Sequence, residues 1–154
     1  TKLRVIGHNM GDYRTLVELV PARSKDYDCG RHNIALADLD GSSSMMSFGV
    51  RAGDKQWTGQ RQYGSLTTSN SLAVEVGKKH ITWFFNGRPI GSVKGKKAVP
   101  GVPMTLRFSV VDDGADDRST TWINSDWQRS FEISHGRQVK KGPKLKRSAV
   151  TGCE

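Results

Sequence analysis

The chain has 154 residues, enough for one domain with its own core. Hydrophobic residues make up 35% and aromatics 8%, which argues against a disordered chain; no run approaches the ~20 apolar residues of a membrane-spanning helix. The formal charge is +9, and residues 137–154, with six basic side chains against the single acid Glu154, carry +5 of it.

Period-two alternation recurs along the chain, and helical periodicity is almost absent. "TKLRVIG" (1–7) alternates, and "RTLVELVP" (14–21) reads as a strand closed by Pro21. "CGRHNIALADLDG" (29–41) sets Ile34, Leu36 and Leu39 against small or polar neighbours and ends on Asp38 and Asp40. "MMSFGVR" (45–51) is a further short strand. In "SLAVEVGKKHITWFFNGRPIGSV" (71–93) two strands precede Asn86-Gly87, a pair that favours a type I′ hairpin turn. Ile81, Trp83 and Phe85 fall on one face there, His80, Thr82 and Phe84 on the other. "MTLRFSVV" (104–111) alternates Met104, Leu106, Phe108 and Val110 against Thr105, Arg107 and Ser109. A last strand, "SDWQRSFEI" (125–133), alternates Trp127, Arg129, Phe131 and Ile133 against Asp126, Gln128, Ser130 and Glu132, and Trp127 is placed with the core, as Trp83 is. "DGSSS" and "DDGADDRS" read as loops. The pattern predicts an all-β, antiparallel two-sheet sandwich or barrel, with a domain over residues 1–136 and a basic tail over 137–154.

Two cysteines, Cys29 and Cys153, have neither C-x-x-C spacing nor a histidine cluster beside them. An even count in a small basic chain fits one disulfide tying the tail to the body, against the alternative of two free thiols. A start at Thr1 suits a chain whose signal peptide has been removed, so secretion is the expected compartment. His8, His80 and His135 have no partner at metal spacing, and no Gly-x-Ser-x-Gly elbow occurs. No cofactor is expected; the alternate carboxylates of "DDGADD" are a calcium candidate lacking the full EF-hand spacing.

The later strands, "SLAVEVGKKHITWFFNGRPIGSV", "AVPGVPMTLRFSV" and "SDWQRSFEI" in that order, resemble glycoside hydrolase family 16 of the concanavalin A-like lectin/glucanase superfamily, in the secreted actinobacterial form. Upstream, "LVPARSKDYDCG" is similar to the stretch that leads to that family's catalytic strand. The resemblance implies a jelly roll, reduced in this short chain, with carbohydrate on its concave face. It also implies Glu-x-Asp-x-x-Glu on one bulged strand, and those positions fall on Asn33, Ala35 and Asp38. Retaining hydrolysis needs two carboxyl groups ~5–5.5 Å apart, whereas Asn33 and Ala35 carry none. Asp38 with Asp40 is a shifted alternative at inverting spacing, though Asp40 opens an Asp-Gly turn.

The expected function is therefore a secreted carbohydrate-binding, glycosidase-like domain that has lost the retaining carboxylates and takes a polysaccharide or cell-wall glycan. One alternative is an active hydrolase or lyase that uses Asp38. Another is a polyanion-binding surface protein acting through Lys140, Lys141, Lys144, Lys146 and Arg147 on acidic polymers. Candidate ligand-binding residues are His32, Asn33, Trp57, Glu75 and Arg107; Tyr27, Trp57 and Tyr63 could stack on sugar or fill the core.

Overall fold

The strands pair into two sheets in the computed structural model, which describes residues 1–7, 13–40, 43–64, 68–112, 121–133 and 140–150. One sheet holds β1 (Lys2–Gly7), β6 (Asn70–Gly77), β7 (His80–Phe85), β8 (Arg88–Lys94) and β10 (Thr121–Trp127), in the order β10-β1-β6-β7-β8. The other holds β2 (Tyr13–Pro21), β3 (His32–Asp40), β4 (Met45–Ala52), β5 (Lys55–Gln62), β9 (Met104–Asp112) and β11 (Lys146–Ala149), in the order β11-β5-β4-β3-β2-β9. All neighbouring strands run antiparallel. The fold is the expected all-β, two-sheet sandwich.

Side chains of alternate phase meet between the sheets. Val17, Ile34, Leu39, Phe48 and Val50 come from the six-stranded sheet, and Leu72, Ile81, Trp83 and Val93 from the five-stranded one. Trp83 is fully buried, with its ring 6.0 Å from that of Phe48. The hairpin turn forms as its sequence dictates, with Asn86 and Gly87 both at positive φ (48° and 74°).

Strand β3 carries a bulge. Ala35 pairs with Gly49 and Asp38 with Ser47, so three steps on β3 match two on β4. On the other side Val17 pairs with Ala37 and Glu18 with Ala35, which leaves Leu36 as the extra residue. The bulge lifts the Ala35 carbonyl towards the core, where the Trp83 indole N–H donates to it at 2.8 Å. An otherwise stranded buried acceptor is thereby satisfied.

Two expectations need correction. The last strand of the body is Thr121–Trp127 rather than 125–133, because β10 pairs with β1 and its Trp127 already stands opposite Lys2, the first residue of β1. Without a partner strand, residues 128–133 have no regular structure; Trp127 is 41% exposed and Phe131 80%, so neither belongs to the core.

Residues 140–150 of the basic stretch are integrated into the sandwich. Leu145 is buried in the core, and β11 pairs with β5. The approach is close: a Cβ on Gly91 would lie 2.6 Å from Leu145 Cδ2, and one on Gly142 2.6 Å from the Gly91 nitrogen. The cationic side chains point outwards, and Lys140, Lys141, Lys144, Lys146 and Arg147 are all exposed.

Candidate glycan-binding groove

The outer face of the six-stranded sheet carries a groove of about 500 Å³. The strand register arranges its floor in rows. Asn33 on β3 pairs with Arg51 on β4, which pairs with Gln56 on β5. One row on, Arg107, Glu18, Ala35, Gly49 and Thr58 run in sequence across β9, β2, β3, β4 and β5. The next row brings Leu16, Asp38 and Ser47 together. The bulge at Leu36 makes this possible: it changes the phase of β3, so that Asn33, Ala35 and Asp38 all line the groove while Ile34, Leu36 and Leu39 face the core.

The centre of the floor is made of small residues, which gives it depth. Gly49 is required there, since a Cβ would run into the Trp57 carbonyl oxygen of the neighbouring strand. Around this centre the groove holds two arginine–carboxylate pairs. Arg107 donates from Nη2 (2.8 Å) and Nε (3.2 Å) to Glu18 Oε1, and Asn33 Nδ2 donates to Glu18 Oε2 at 3.3 Å. Glu18 is 5% exposed, so these bonds replace the water it loses. The Glu18 hydrogen bond raises the Arg107 guanidinium above its already high value; burial opposes this, and the Glu18 charge and Tyr27 add to it. Arg14 donates to both oxygens of Asp38, at 2.6 and 3.3 Å. Tyr27, 48% exposed, stands on the wall.

Of the residues singled out from sequence, Asn33, Asp38 and Arg107 share this groove, with His32 at its edge. Trp57 and Glu75 lie elsewhere. On β5 it is Gln56 and Thr58 that face the groove, and Trp57 between them packs on the core. Glu75 belongs to the opposite sheet, bonded to His80 Nε2 at 2.6 Å. Its polar neighbours are roofed by residues 140–145: Thr82 Oγ1 donates to the Lys140 carbonyl (3.2 Å) and Ser92 Oγ to that of Gly142 (2.9 Å). That face is closed to a ligand at this point. Tyr63 is a core residue whose hydroxyl donates to the Ser43 carbonyl.

Cys153 lies outside the described residues, as do His8, His135 and the calcium candidate beyond Asp112. Among the described residues no three His, Cys, Asp or Glu side chains gather as metal ligands, and no helix is long and apolar enough to cross a membrane.

Glu18, Arg14, Arg51 and Gln56 complete the site and were not singled out from sequence. Glu18 left a trace: it is the one acid inside the apolar "TLVELV", in phase with Leu16 and Val20. A charge in such a strand requires a partner.

No protein-family model matches the chain, and no curated protein does. Among solved structures it is similar to a GlcNAcα1-4Gal-releasing endo-β-galactosidase from Clostridium perfringens, with a TM-score of 0.60 at 12% identity over 79% of this chain. The match covers 35% of that enzyme's chain, so the present chain spans about a third of its length. At this identity the likeness is one of fold, a β-sandwich shared with a carbohydrate-active enzyme.

Proposed function

We propose that this chain is a glycan-binding domain of the family 16 type whose groove no longer supports retaining hydrolysis. The observation that carries the reading is the bulged strand β3, which presents positions 33, 35 and 38 to the groove as a catalytic strand would, with Asn, Ala and Asp in them. Asparagine and alanine supply no nucleophile, and Asp38 has both oxygens bonded to Arg14. Small floor residues, polar walls and the exposed ring of Tyr27 suit a sugar chain, whose rings stack on aromatic faces and whose hydroxyls need partners. Export from the cell and a Cys29–Cys153 disulfide belong to the same reading, supported by Cys29 not being a free thiol.

A second reading, inverting hydrolysis by Glu18 and Asp38, is favoured by one feature. Asp38 stands opposite Leu16, two residues from Glu18 on the same face. This diagonal is ~7–8 Å between Cα atoms, comparable with the ~6.5–9.5 Å between carboxyl groups in inverting enzymes. Both carboxylates would first have to leave their arginines.

The experiment is binding to neutral and acidic glycans with reducing-end release assayed in the same wells. Binding without release, retained by Asp38→Asn, is the expected result. Release abolished by Asp38→Asn or Glu18→Gln would establish the second reading. Binding restricted to acidic polymers and lost at high salt would move the function to the exposed lysines of residues 140–147.

A further inference from the structure

Two basic segments far apart in sequence meet along one edge of the sandwich. Residues 76–111 contain no Asp or Glu, and Lys78, Lys79, Lys94, Lys96 and Lys97 among them are all exposed. The backbone gathers these side chains at one end of the sheet. His80 pairs with Lys94, and the Gly95 nitrogen donates to the Lys79 carbonyl at 2.9 Å, which sets the β6–β7 turn beside the short 3-10 turn Lys96–Ala98. Residues 140–145, also without an acid, run along the edge of β8. The Ser92 nitrogen donates to the Pro143 carbonyl (2.8 Å) and the Leu145 nitrogen to the Ser92 carbonyl (3.2 Å), so Lys144 stands beside Ser92. Lys94 follows Ser92 by two residues on the same face, about 7 Å along the strand. The one acid of β6, β7 and β8, Glu75, is buried and bonded to His80, so it does not offset these charges at the surface. From Lys144 the chain crosses to the other sheet, where β11 sets Lys146 beside Thr58 and Ser148 beside Gln56. Thr58 and Gln56 line the groove, and paired residues of antiparallel strands share a face. The row of lysines therefore opens on to the groove rim at Lys146.

We infer that these lysines form one surface for an acidic polysaccharide, a carboxylated or sulfated chain that leaves the groove at Lys146 and follows the β8 edge past Lys144 and Lys94 to Lys79 and Lys96. The choice of a polysaccharide rests on the glycan-binding reading, because the lysines open on to that groove. Ammonium groups are compact charges on flexible stems, suited to a polymer that carries many anions rather than to one group in a fixed geometry. Residues 78–79, 94–98 and 140–148 include no Phe, Tyr or Trp on which nucleic-acid bases would stack. Their apolar side chains Ala98 and Leu145 are buried, which leaves no anchor for a lipid surface. The surface differs from a basic tail acting alone, because part of it belongs to the body of the sandwich.

The test measures binding of the whole chain to polygalacturonate and to a sulfated galactan, each beside its neutral form (methyl ester or desulfated), with duplex DNA and anionic phospholipid vesicles as the other polyanions. At low salt at least one acidic polysaccharide is expected to bind about tenfold or more tightly than its neutral form. The difference should shrink at about 1 M salt, where the screening length falls to ~3 Å. Two triple variants, Lys94→Gln with Lys96→Gln and Lys97→Gln, and Lys140→Gln with Lys141→Gln and Lys144→Gln, should each weaken acidic binding about tenfold, the scale of three solvent-screened charge contacts. All six side chains are exposed, so the unfolding midpoint should not move and the neutral form should still bind. Loss confined to one of the two variants, or seen in neither, would overturn the inference, because the two segments would not share a surface. Duplex DNA or vesicles bound more tightly than either acidic polysaccharide would overturn it as well. Equal binding of acidic and neutral forms would overturn the inference and leave the glycan-binding reading standing; binding of no polysaccharide would overturn both.

Discussion

Glu18 and Arg107 show how a buried carboxylate is held on a sheet face. Glu18 is nearly enclosed, Arg107 is largely exposed, and the pair is closed further by Asn33. Removing the arginine leaves a desolvated charge without its main partner, so Arg107→Met should destabilise the fold by about 2 kcal/mol, measured as a lower denaturation midpoint at unchanged m-value. Arg14→Met should cost less, within ~1 kcal/mol, because the Arg14–Asp38 pair is more open to solvent. Tyr63 gives a pH signature. Burial, and secondarily the charge of Asp40, raises its phenol above the ordinary value, so the folded state holds the proton more tightly than the unfolded chain. The stabilisation is complete below pH ~10 and is lost as pH rises through the folded value. Unfolding titrations of Tyr63→Phe should show a shallower alkaline loss of stability than the parent chain.

At the scale of the element, the bulge in β3 joins core and site. It sends Leu36 inwards, returns Asp38 to the groove face, and leaves the Ala35 carbonyl to Trp83. Trp83→Phe removes the donor and part of the ring, leaving an unsatisfied buried acceptor and a cavity. A loss of about 2–4 kcal/mol is expected from the two effects together, and denaturation reads it directly. Gly49→Ala should also destabilise, because the obstructing atom is a backbone oxygen that cannot rotate away. Much of this was legible beforehand: β2, β4 and the Asn86-Gly87 hairpin follow from alternation and turn chemistry. β5 was not, since "KQWTGQRQ" has no apolar alternation and forms because β4 and β11 flank it. The phase of Trp57 was hidden for the same reason. In β6 the alternation was readable, but not that a distant segment would roof its polar face, which is why Glu75 was misplaced.

At the scale of the whole molecule, residues 140–150 of the basic stretch give the fold one core side chain, Leu145, and the added strand β11, while their cationic side chains stay on the surface. Only Leu145 in "KKGPKLKR" is apolar, and one leucine among lysines gives no periodicity from which burial could be read. Its side chain nonetheless reaches Gly59, Gly91 and Phe48 across both sheets. Leu145→Ala should therefore cost about 3 kcal/mol, whereas Lys144→Ala beside it should change stability little. The groove, in contrast, could be assembled only from the register: Arg107, Glu18, Ala35, Gly49 and Thr58 come from five strands and share no local motif.

The account's central claim is that the outer face of the six-stranded sheet is where a glycan binds. Ala35 lies at its centre with its side chain in the groove and its backbone holding the bulge, so Ala35→Trp fills the groove without touching the core. Glycan affinity of this variant, measured beside its unfolding midpoint, is the most direct test. Binding lost with the fold intact is the predicted result; binding undiminished in a folded Ala35→Trp protein would contradict the account.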